Sequence, residues 1–521
     1  MASQLSSRAR AIASEVLESD CVPGSFLGVQ ALNKATTLNL RTAENWLVRE
    51  ELIRLYHELV REDLDPSDLS YGSGFGGDPD LLEAAADLMN TYFNPAQAID
   101  PDDVVITTGA SLCLDALMFT LCDEGDQVLI TAPYWTGFDQ HLVLRTGVEL
   151  LPIHAPSADL GLTRPEDLLK GSLVPSLTEA YESSTDPSRV KALVMTNPHN
   201  PYGRFYPESV IREAMMWCAE RNIHYVSDEV YALSQLTAPD EQPGRGATHG
   251  QEQHPHREHP FISALSVRFS PQDEAKVPEI SVVWGTSKDL GSSGFRVGVY
   301  VHRQPPGSGP SRASHNAGSG AAASGRSGTN PLERSPLTTT LSNLTTSHLP
   351  TLTTSLLTKG LFTSPMLPRL FQLNRTRLRD HYALPRSYLQ KWRVPYVEVQ
   401  GAPFVLARLA CALPRVRGTG ARDTGTQDSS AEARGGAEPL GCTWEDEEYL
   451  VETLLRAGVT VALGRQYHME KKTDSRASGG DASHRAPDNK RAGWVRITFA
   501  VPIHVLEDGI ARIATVLGLE D

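Results

Sequence analysis

The sequence predicts an α/β fold: a three-layer α/β/α large domain with a mostly parallel sheet, followed by a smaller α+β domain. The first observation is a series of short runs rich in Val and Ile, with little polar alternation, as in strands buried on both faces. The second is a helical pattern of apolar residues at 207–222, between two of these runs. Strand, helix and strand in succession indicate stacked layers with parallel strands. The predicted strands are VVIT (104–107), QVLIT (127–131), VKALVMT (190–196), IHYVSD (223–228), ISVVWG (280–285) and FRVGVYV (295–301).

The chain after residue 336 has a different pattern, which predicts the smaller α+β domain. Leu recurs there among Thr and Ser at roughly helical spacing, and Pro350 interrupts this weak helical pattern. Alternating strand and helix patterns follow, in the order YVEV (396–399), FVLARL (404–409), WEDEEYLVETLLRAG (444–458) and VRITFA (495–500).

Four stretches rich in Gly, Ser, Pro and His interrupt these patterns. Such compositions bury too little apolar surface to offset the entropy of ordering, so we expect surface insertions. In the first stretch, His254, His256 and His259 alternate with Pro and lack a framework of Cys or carboxylates, which favours a solvated loop over a metal site. No metal is therefore predicted. The predicted insertions are 237–262, 303–335, 414–440 and 470–491. The predicted domains are an N-terminal arm with part of the small domain (1–65), the large domain (66–302), the low-complexity insertion (303–335) and the small C-terminal domain (336–521).

The composition excludes several classes of function. The 521 residues carry a net charge of −15, which argues against a general nucleic-acid binder because phosphate contacts need Lys and Arg. The 6 cysteines form no CxxC pair, which favours buried thiols over a disulfide framework. No stretch reaches the roughly 18 consecutive apolar residues of a membrane helix, and no signal-peptide core is recognised near the N-terminus. We therefore expect a cytoplasmic enzyme that binds no membrane.

The most informative motif is GTSKDLGSSGFRVG (285–298). Lys288 directly follows a predicted buried strand, so its amine would lie at a strand end beside a cleft. Arg296 opens the next strand after a Gly-rich turn, which allows the two cations to converge. A desolvated lysine beside another cation has a lowered pKa and can form a Schiff base, and a nearby guanidinium can bind a phosphate. Taken alone, the motif also fits a surface lysine in a Gly-rich loop.

Other strand ends carry polar residues that fit the same site. Asp228, in SDEVY (227–231), ends a strand, and a carboxylate buried there needs a cationic partner such as a protonated pyridine nitrogen. Asn200, in NPHNPYG, can donate a hydrogen bond from the turn after another strand. The segment TTGAS (107–111) ends a strand and opens a helix, whose backbone N–H groups and dipole suit a phosphate.

Together, these motif residues resemble those of the fold-type I pyridoxal-phosphate enzymes, and most closely those of the class I and II aminotransferase family. The motifs SKDxGxxGFRxG, NPxNPxG and DEVY are together specific, and the resemblance covers roughly residues 25–302 and 390–515. It implies that Lys288 binds the cofactor covalently and later carries protons, and that Asp228 keeps the pyridine nitrogen protonated. The other implied cofactor contacts are Asn200 and Tyr231 to the phenolic oxygen, Trp135 stacked on the ring, Ser287 beside the lysine, and Gly109, Ala110, Ser111 and Arg296 on the phosphate.

The resemblance also implies a partner subunit and an amino-acid substrate. Tyr71, in SYGSGFGG, matches a tyrosine that reaches the phosphate of the neighbouring subunit, which implies a homodimer. Arg496, in GWVRITFA, matches the arginine that binds the substrate α-carboxylate. One departure is Gly285, where the family often has a phosphate-binding Ser. The wide gap between Asp228 and Lys288 is another, because the His-rich insertion falls between them.

The segment LNLRTAENWL (38–47) resembles the AEN-x-L signature of 1-aminocyclopropane-1-carboxylate (ACC) synthases and their relatives. Glu44 matches a glutamate at the active-site entrance of that group, although a first-turn helix acid is an alternative explanation. Plant ACC synthases carry Tyr at the position of Trp135 and read ENQ rather than ENW, so the chain looks more like a fungal ACC-synthase-like protein.

Three chemistries remain open, because all begin with loss of the substrate α-proton to Lys288 and use the same residues. They are transamination, cleavage of a C–S bond, and closure of the cyclopropane from S-adenosylmethionine. Fungal relatives in secondary metabolism include both C–S lyases and enzymes described as aminotransferases, so we expect one of these two activities, with true ACC synthesis as the alternative. An inactive binding protein that keeps the fold is an alternative of a different class, and the presence of Lys288, Asp228 and Arg496 speaks against it.

Overall fold

The computed structural model describes most of the chain outside the predicted insertions. The four insertions lie almost entirely outside the described residues, so their character stays a prediction. Within the described part, no helix has both the length and the apolar character needed to cross a membrane. The described residues are 6, 9–10, 37–154, 169–236, 260–273, 276–305, 334–346, 349–414, 416, 441–469 and 491–519.

The large domain is built on a sheet of seven strands in the described part of the chain, ordered β2-β8-β7-β6-β5-β3-β4. Five adjoining strands, β7 to β4 in that order, pair in parallel, and β8 is antiparallel to both of its neighbours. The predicted mostly parallel sheet is therefore confirmed. The strands are β1 (Leu38–Asn39), β2 (Val104–Thr107), β3 (Gln127–Ala132), β4 (Glu149–His154), β5 (Val190–Thr196), β6 (His224–Asp228), β7 (Ile280–Gly285), β8 (Gly298–Arg303), β9 (Phe404–Ala407), β10 (Val459–Thr460), β11 (Ala462–Leu463) and β12 (Val495–Thr498).

Alternate residues of the central strands pack into two separate cores, one on each face of the sheet. In β5, Leu193 packs on one face and Val194 on the other. This two-sided burial explains why the strands read as continuous apolar runs. The helices are α1 (Arg49–Glu62), α2 (Pro79–Tyr92), α3 (Ala110–Leu121), α4 (Val174–Ser183), α5 (Glu208–Glu220), α6 (Thr286–Asp289), α7 (Pro336–Thr345), α8 (Thr351–Ser355), α9 (Leu367–Lys391), α10 (Trp444–Arg456) and α11 (Ile503–Leu517).

The beginning of β8 differs from the prediction. The sequence pattern predicts a strand from Phe295, whereas Ser293–Phe295 forms a 3-10 turn and the strand begins at Gly298. Arg296 adopts a left-handed backbone conformation, with φ of 54°, which a strand does not tolerate. The turn at this point moves Arg296 out of the sheet and towards the neighbouring strand end.

The smaller domain combines segments from both ends of the chain, as predicted. Strand β1 pairs in parallel with β10, while β11, β12 and β9 form an antiparallel sheet. The predicted strand YVEV is wrong, because in 396–399 only Tyr396 pairs, through a single bridge to Ala407. Helix α9 joins the two domains, since Leu370 lies in the core of the large sheet and Leu378 lies in the core of the smaller domain.

Helix α7 packs against the large sheet, although it comes after the long insertion. Leu337 and Leu341 belong to the same apolar core as Val105 of β2 and Leu114 of α3. The domain boundaries themselves stay a prediction.

Candidate active site

The predicted site residues follow strands that end at one edge of the large sheet. The carboxyl ends of β5 and β6 are aligned, with Thr196 opposite Asp228, and β7 ends close by with Val283 opposite Asp228. Because β8 is antiparallel, its first residue, Gly298, lies opposite both Gly285 of β7 and Thr107 of β2. Ligands of open α/β sheets bind outside this edge, so the topology brings the sequence motifs together at a single candidate site.

Lys288 lies in the short helix α6 and carries its amine towards the N-terminal segment of the chain. Its Nζ donates a hydrogen bond to the carbonyl oxygen of Ala43 at 2.7 Å and lies 5.9 Å from the centre of the Tyr231 ring. Burial lowers the pKa of Lys288 to about 8, and the positive charge of Arg496 acts in the same direction. The neutral amine is therefore more accessible near physiological pH than in an ordinary lysine, which favours a role as a proton acceptor.

Asp228 and Glu229 are adjacent buried carboxylates with different surroundings. Glu229 accepts hydrogen bonds from the Ser227 hydroxyl at 2.9 Å, the Ser263 hydroxyl at 2.7 Å and the Ala264 amide at 2.8 Å. Asp228 has weaker support, from the Val230 amide at 3.4 Å and from the hydroxyl of its strand neighbour Thr196. Burial raises the pKa of Asp228 to about 7. A cation in contact with this carboxylate would be strongly favoured.

An anion cradle lies where α3 begins. Gly109 has φ of 89°, and a Cβ atom built on it would lie 2.5 Å from Nη2 of Arg296, so the guanidinium packs against the glycine. A Cβ on Gly298 would lie 2.7 Å from the amide nitrogen of Ala110. Gly109 caps α3 without a side-chain hydrogen bond, and the first amides of a helix have no partner within it. The amides around Ala110 and Ser111, together with Arg296, fit a phosphate.

Arg496 is buried, with 4% of its surface exposed, and it has the surroundings of an anion-binding arginine. Its Nη1 donates to Oδ1 of Asn200 at 2.9 Å, and its Nη2 donates to the carbonyl of Arg41 at 2.7 Å. Its Nε is buried without a hydrogen-bond partner among the described residues. The guanidinium lies 4.6 Å from the Phe404 ring and 5.2 Å from the Tyr467 ring. A carboxylate would satisfy the Nε donor and the charge.

Trp135 follows β3 at the same sheet edge. Its ring lies 5.6 Å from the His141 ring, and a Cβ on Gly137 would fall 2.3 Å from the indole. Burial lowers the pKa of His141, and although Asp115 acts in the opposite direction, the charge of Arg296 lowers it further. The charge of Arg296 therefore acts on the histidine ring that neighbours Trp135.

The two remaining motif residues, Glu44 and Ser287, lie next to the Lys288 loop. Oε1 of Glu44 accepts a hydrogen bond from Ser293 at 2.5 Å, and Arg49 lies 3.4 Å from Oε2. Burial alone would raise the pKa of Glu44, but these two contacts hold it below its usual value, so the carboxylate is ionised. Ser287 is half-buried beside Lys288.

Tyr71 is the predicted site residue that the structure does not bring into the site of its own chain. Its side chain is 99% exposed. That exposure is compatible with a contact to another subunit, which is the role that the resemblance implies.

Sequence reasoning missed Asn45, Asp289 and Glu229, three buried polar residues that contact or adjoin the motif residues. All three lie inside quoted motifs, AENW, SKDLG and SDEVY. Their neighbours in the motifs provided a signal, but each also has a hydrogen-bond partner 34 or more positions away in the sequence, which no local pattern identifies.

Comparison with known proteins agrees with this geometry. The family "Aminotransferase class I and II" matches residues 48–513. The chain is 34% identical over 483 residues to the probable aminotransferase aclI of Aspergillus oryzae. The match covers 92% of this chain and 91% of that protein. It is 32% identical over 218 residues to 1-aminocyclopropane-1-carboxylate synthase 7 of Arabidopsis thaliana, which covers 42% of each chain.

Solved structures show the same fold. Aspartate aminotransferase from Thermus thermophilus, solved with maleate, superposes with a TM-score of 0.61 at 18% identity, covering 99% of this chain and 100% of that one. The anion cradle, the buried carboxylate and the lysine between them also fit the phosphate, ring nitrogen and aldehyde of pyridoxal phosphate. The chain therefore belongs to the class I and II aminotransferase family and is a pyridoxal-phosphate-dependent enzyme.

Proposed function

We propose that the enzyme removes the α-proton of an L-amino acid and then cleaves a C–S bond in the substrate side chain. The observation that supports removal of the α-proton is the convergence of three groups near one sheet edge: the Lys288 amine, the Asp228 carboxylate and the Arg496 guanidinium. Bound pyridoxal phosphate supplies an electron sink for the negative charge that develops at the α-carbon. The residues of the chain supply binding, orientation and proton transfer.

Each residue has a role that follows from its surroundings. Arg296 and the amides at the start of α3 would hold the phosphate, while Asp228 would hold a proton on the ring nitrogen. Asn200 has its Oδ1 engaged by Arg496, which leaves its Nδ2 to donate to the phenolic oxygen, as Tyr231 can also do. Trp135 would cover one face of the ring. These assignments for cofactor contacts are proposals, as are those for Gly109, Ala110, Ser111 and Ser287.

The substrate roles rest on Arg496 and Lys288. The buried guanidinium would bind the α-carboxylate through Nε, whose donor has no partner among the described residues. This contact orients the α-carbon, and the neutral Lys288 amine then accepts the α-proton at Nζ. Ala43 offers its carbonyl as a hydrogen-bond acceptor that keeps the amine in position.

Glu44 favours C–S cleavage over transamination. Its carboxylate is ionised and close enough to Lys288 to interact with the charge of the amine. A dicarboxylic oxo acid, the usual second substrate of a transamination, carries a second carboxylate, and Glu44, although it is paired with Arg49, offers that group no attraction. Cleavage needs no second organic substrate: a cysteine S-conjugate and water yield a thiol, pyruvate and ammonia. Transamination, ACC synthesis and an inactive binding protein remain the alternatives.

A product assay tests this proposal. The holoenzyme is incubated with a cysteine S-conjugate, with S-adenosylmethionine, and with an amino acid plus 2-oxoglutarate, and the K288A variant is the matched control. We expect thiol, pyruvate and ammonia in equal amounts from the first substrate, and none from the variant. Glutamate as the sole product would overturn the preference for a lyase, ACC as the sole product would identify a cyclase, and no product from any substrate would favour a binding protein.

A second prediction concerns Arg496. We expect R496A to raise KM for the amino acid by about 10²-fold, because the substrate carboxylate would lose a buried charged partner. Cofactor affinity, followed by the absorbance of the bound cofactor during titration, should change far less. The variant R496K keeps the charge but loses the planar guanidinium, so its KM should lie between that of the wild type and that of R496A. Equal losses of substrate and cofactor affinity would contradict the assignment.

We also propose that two copies of the chain form a homodimer. Tyr71 is exposed, and two apolar residues shortly before it in the sequence, Leu69 and Leu64, are exposed as well, with 83% and 45% of their surface accessible. Apolar side chains exposed together are typical of an interface. In the dimer, Tyr71 would reach the phosphate of the partner's site. The cytoplasmic location stays a prediction.

A further inference from the structure

We propose that Asn45 is a positioning residue for Lys288, which it holds through the main chain and links to helix α9. The inference rests on the proposed role of Lys288 and deepens it. Asn45 is buried, with 1% of its surface exposed, and Nδ2 of its side chain donates to the carbonyl oxygen of Lys288 at 3.0 Å. The two residues are 243 positions apart in the sequence.

The backbone around Lys288 needs an external partner. Helix α6 has only 4 residues, so its carbonyls lack the support of a following turn. Within the loop, the Leu290 amide is shared between the carbonyls of Lys288 and Thr286, and the Gly291 amide approaches the Lys288 carbonyl at 3.4 Å. The Asn45 amide is closer and comes from a buried side chain. It therefore limits how the peptide group that carries the Lys288 side chain can rotate.

The Asn45 side chain is itself fixed. Its Oδ1 accepts a hydrogen bond from the Leu47 amide at 3.0 Å, which sets the orientation of the amide group. Its Nδ2 donates a second hydrogen bond to Oδ1 of Asn374 at 2.7 Å. Asn374 lies in α9 and is fully buried. Asn45 therefore connects the lysine loop to the helix that joins both domains.

The N-terminal segment contacts the lysine loop at other points besides the bond from Asn45 to Lys288. Gly291 has φ of 61°, and a Cβ on it would lie 2.5 Å from the carbonyl oxygen of Asn45, so the two backbones are in close contact. Nε of Arg49 donates to the carbonyl of Gly291 at 3.1 Å. These contacts leave little space for the loop to shift while Asn45 is in place.

The opposite side of the loop is held independently. Asp289 is fully buried and accepts hydrogen bonds from the Leu233 amide at 3.0 Å, the Ser234 hydroxyl at 2.5 Å and the Trp284 indole at 2.7 Å. Its side chain anchors the loop to the large domain, whereas Asn45 anchors the Lys288 carbonyl to the N-terminal segment. Loss of Asn45 should therefore loosen the lysine without releasing the whole loop.

The test compares N45A with N374A. Both variants lose the buried hydrogen bond between the two amides, but only N45A loses the bond to Lys288. We expect both to lower the melting temperature, and N45A to lower it more, because that variant also loses the hydrogen bond from the Leu47 amide and the one to the Lys288 carbonyl. In the holoenzyme, kcat should fall about tenfold or more in N45A, because small displacements of a reacting group are costly, and stay within about twofold in N374A. KM should change little in either, since Arg496 is untouched.

Two readouts do not depend on turnover. Hydrogen exchange of the 286–293 peptide should be faster in N45A than in N374A, and the pH titration of the lysine-bound cofactor band should shift in N45A alone. If N45A does not fold, N45D replaces it, because Asp keeps the acceptor for the Leu47 amide and loses both donations. Equal kcat losses and equal exchange in the two variants would overturn the proposal, as would wild-type values for N45A. A K288A variant that retains turnover would instead overturn the proposed function.

Discussion

Replacement of Lys288 by Ala is expected to abolish the absorption band of the lysine-bound cofactor and to lower kcat by about 10⁴-fold, the upper end of what a positioned proton carrier contributes. The amine is the group at the sheet edge whose pKa, lowered to about 8 by burial, suits proton transfer near neutral pH. Ala removes both the covalent attachment and the proton acceptor. The measurement is the absorption spectrum of the purified holoenzyme together with the product assay.

Two controls separate this role from a structural one. K288R keeps a positive charge of similar reach but cannot donate its proton at neutral pH, so it should be as inactive as the Ala variant. The exposed residue Lys391, changed to Ala, should leave the band and the rate unchanged. A K288A enzyme with the wild-type band would show that another lysine holds the cofactor.

Replacement of Asp228 by Ala is expected to lower kcat by about 10²- to 10³-fold, with the band retained. Removing one partner of a buried ion pair costs roughly 3–5 kcal/mol, and the lower part of that range corresponds to this change in rate. The ring nitrogen would lose the group that keeps its proton, and the electron sink would weaken. D228N should resemble D228A, because the amide keeps the shape of the side chain but not its charge.

Glu229 provides a matched control for Asp228. It is equally buried, and burial raises its pKa to about 7 as well, but three hydrogen bonds from the protein already satisfy its oxygens. We expect E229Q to lower the melting temperature while kcat per folded molecule stays within about threefold of the wild type, in accordance with a structural role. A similar kcat loss in both variants would mean that Asp228 acts through stability rather than through the ring nitrogen.

The strands of the large sheet were the most predictable part of the fold. Their apolar runs are continuous because both faces are covered, and VVIT, VKALVMT and ISVVWG match β2, β5 and β7 to the residue. Strand β4 was not predicted, because it lies at the sheet edge and its residues are mostly only partly buried. YVEV resembles a strand by composition, but residues 396–399 have too few pairing partners to form one.

The site residues likewise divide into those that a short motif predicts and those that only distant contacts define. Lys288, Asp228 and Arg296 were predictable because each lies in a short motif whose spacing is set by a strand end. The difference between Asp228 and Glu229 was not predictable, since the two are adjacent at the end of the same strand and two of the three donors to Glu229, Ser263 and Ala264, lie beyond the His-rich insertion. Asn45 was likewise missed, because its partners lie 243 and 329 positions further along the chain.

The sequence by itself determined the layer architecture, the residue types of the site and the family, since these depend on local periodicity and short motifs. Only the tertiary structure decided which of the two buried carboxylates has the weaker hydrogen bonds from the protein and so favours a cationic partner. It also decided which N-terminal residue bonds to the main chain of Lys288. The physical reason is that a buried polar group is defined by its partners, and long-range packing brings those partners together. Within the described residues, Asn45 and Asp289 support Lys288 from opposite sides because α9, the N-terminal segment and the large sheet meet at this loop.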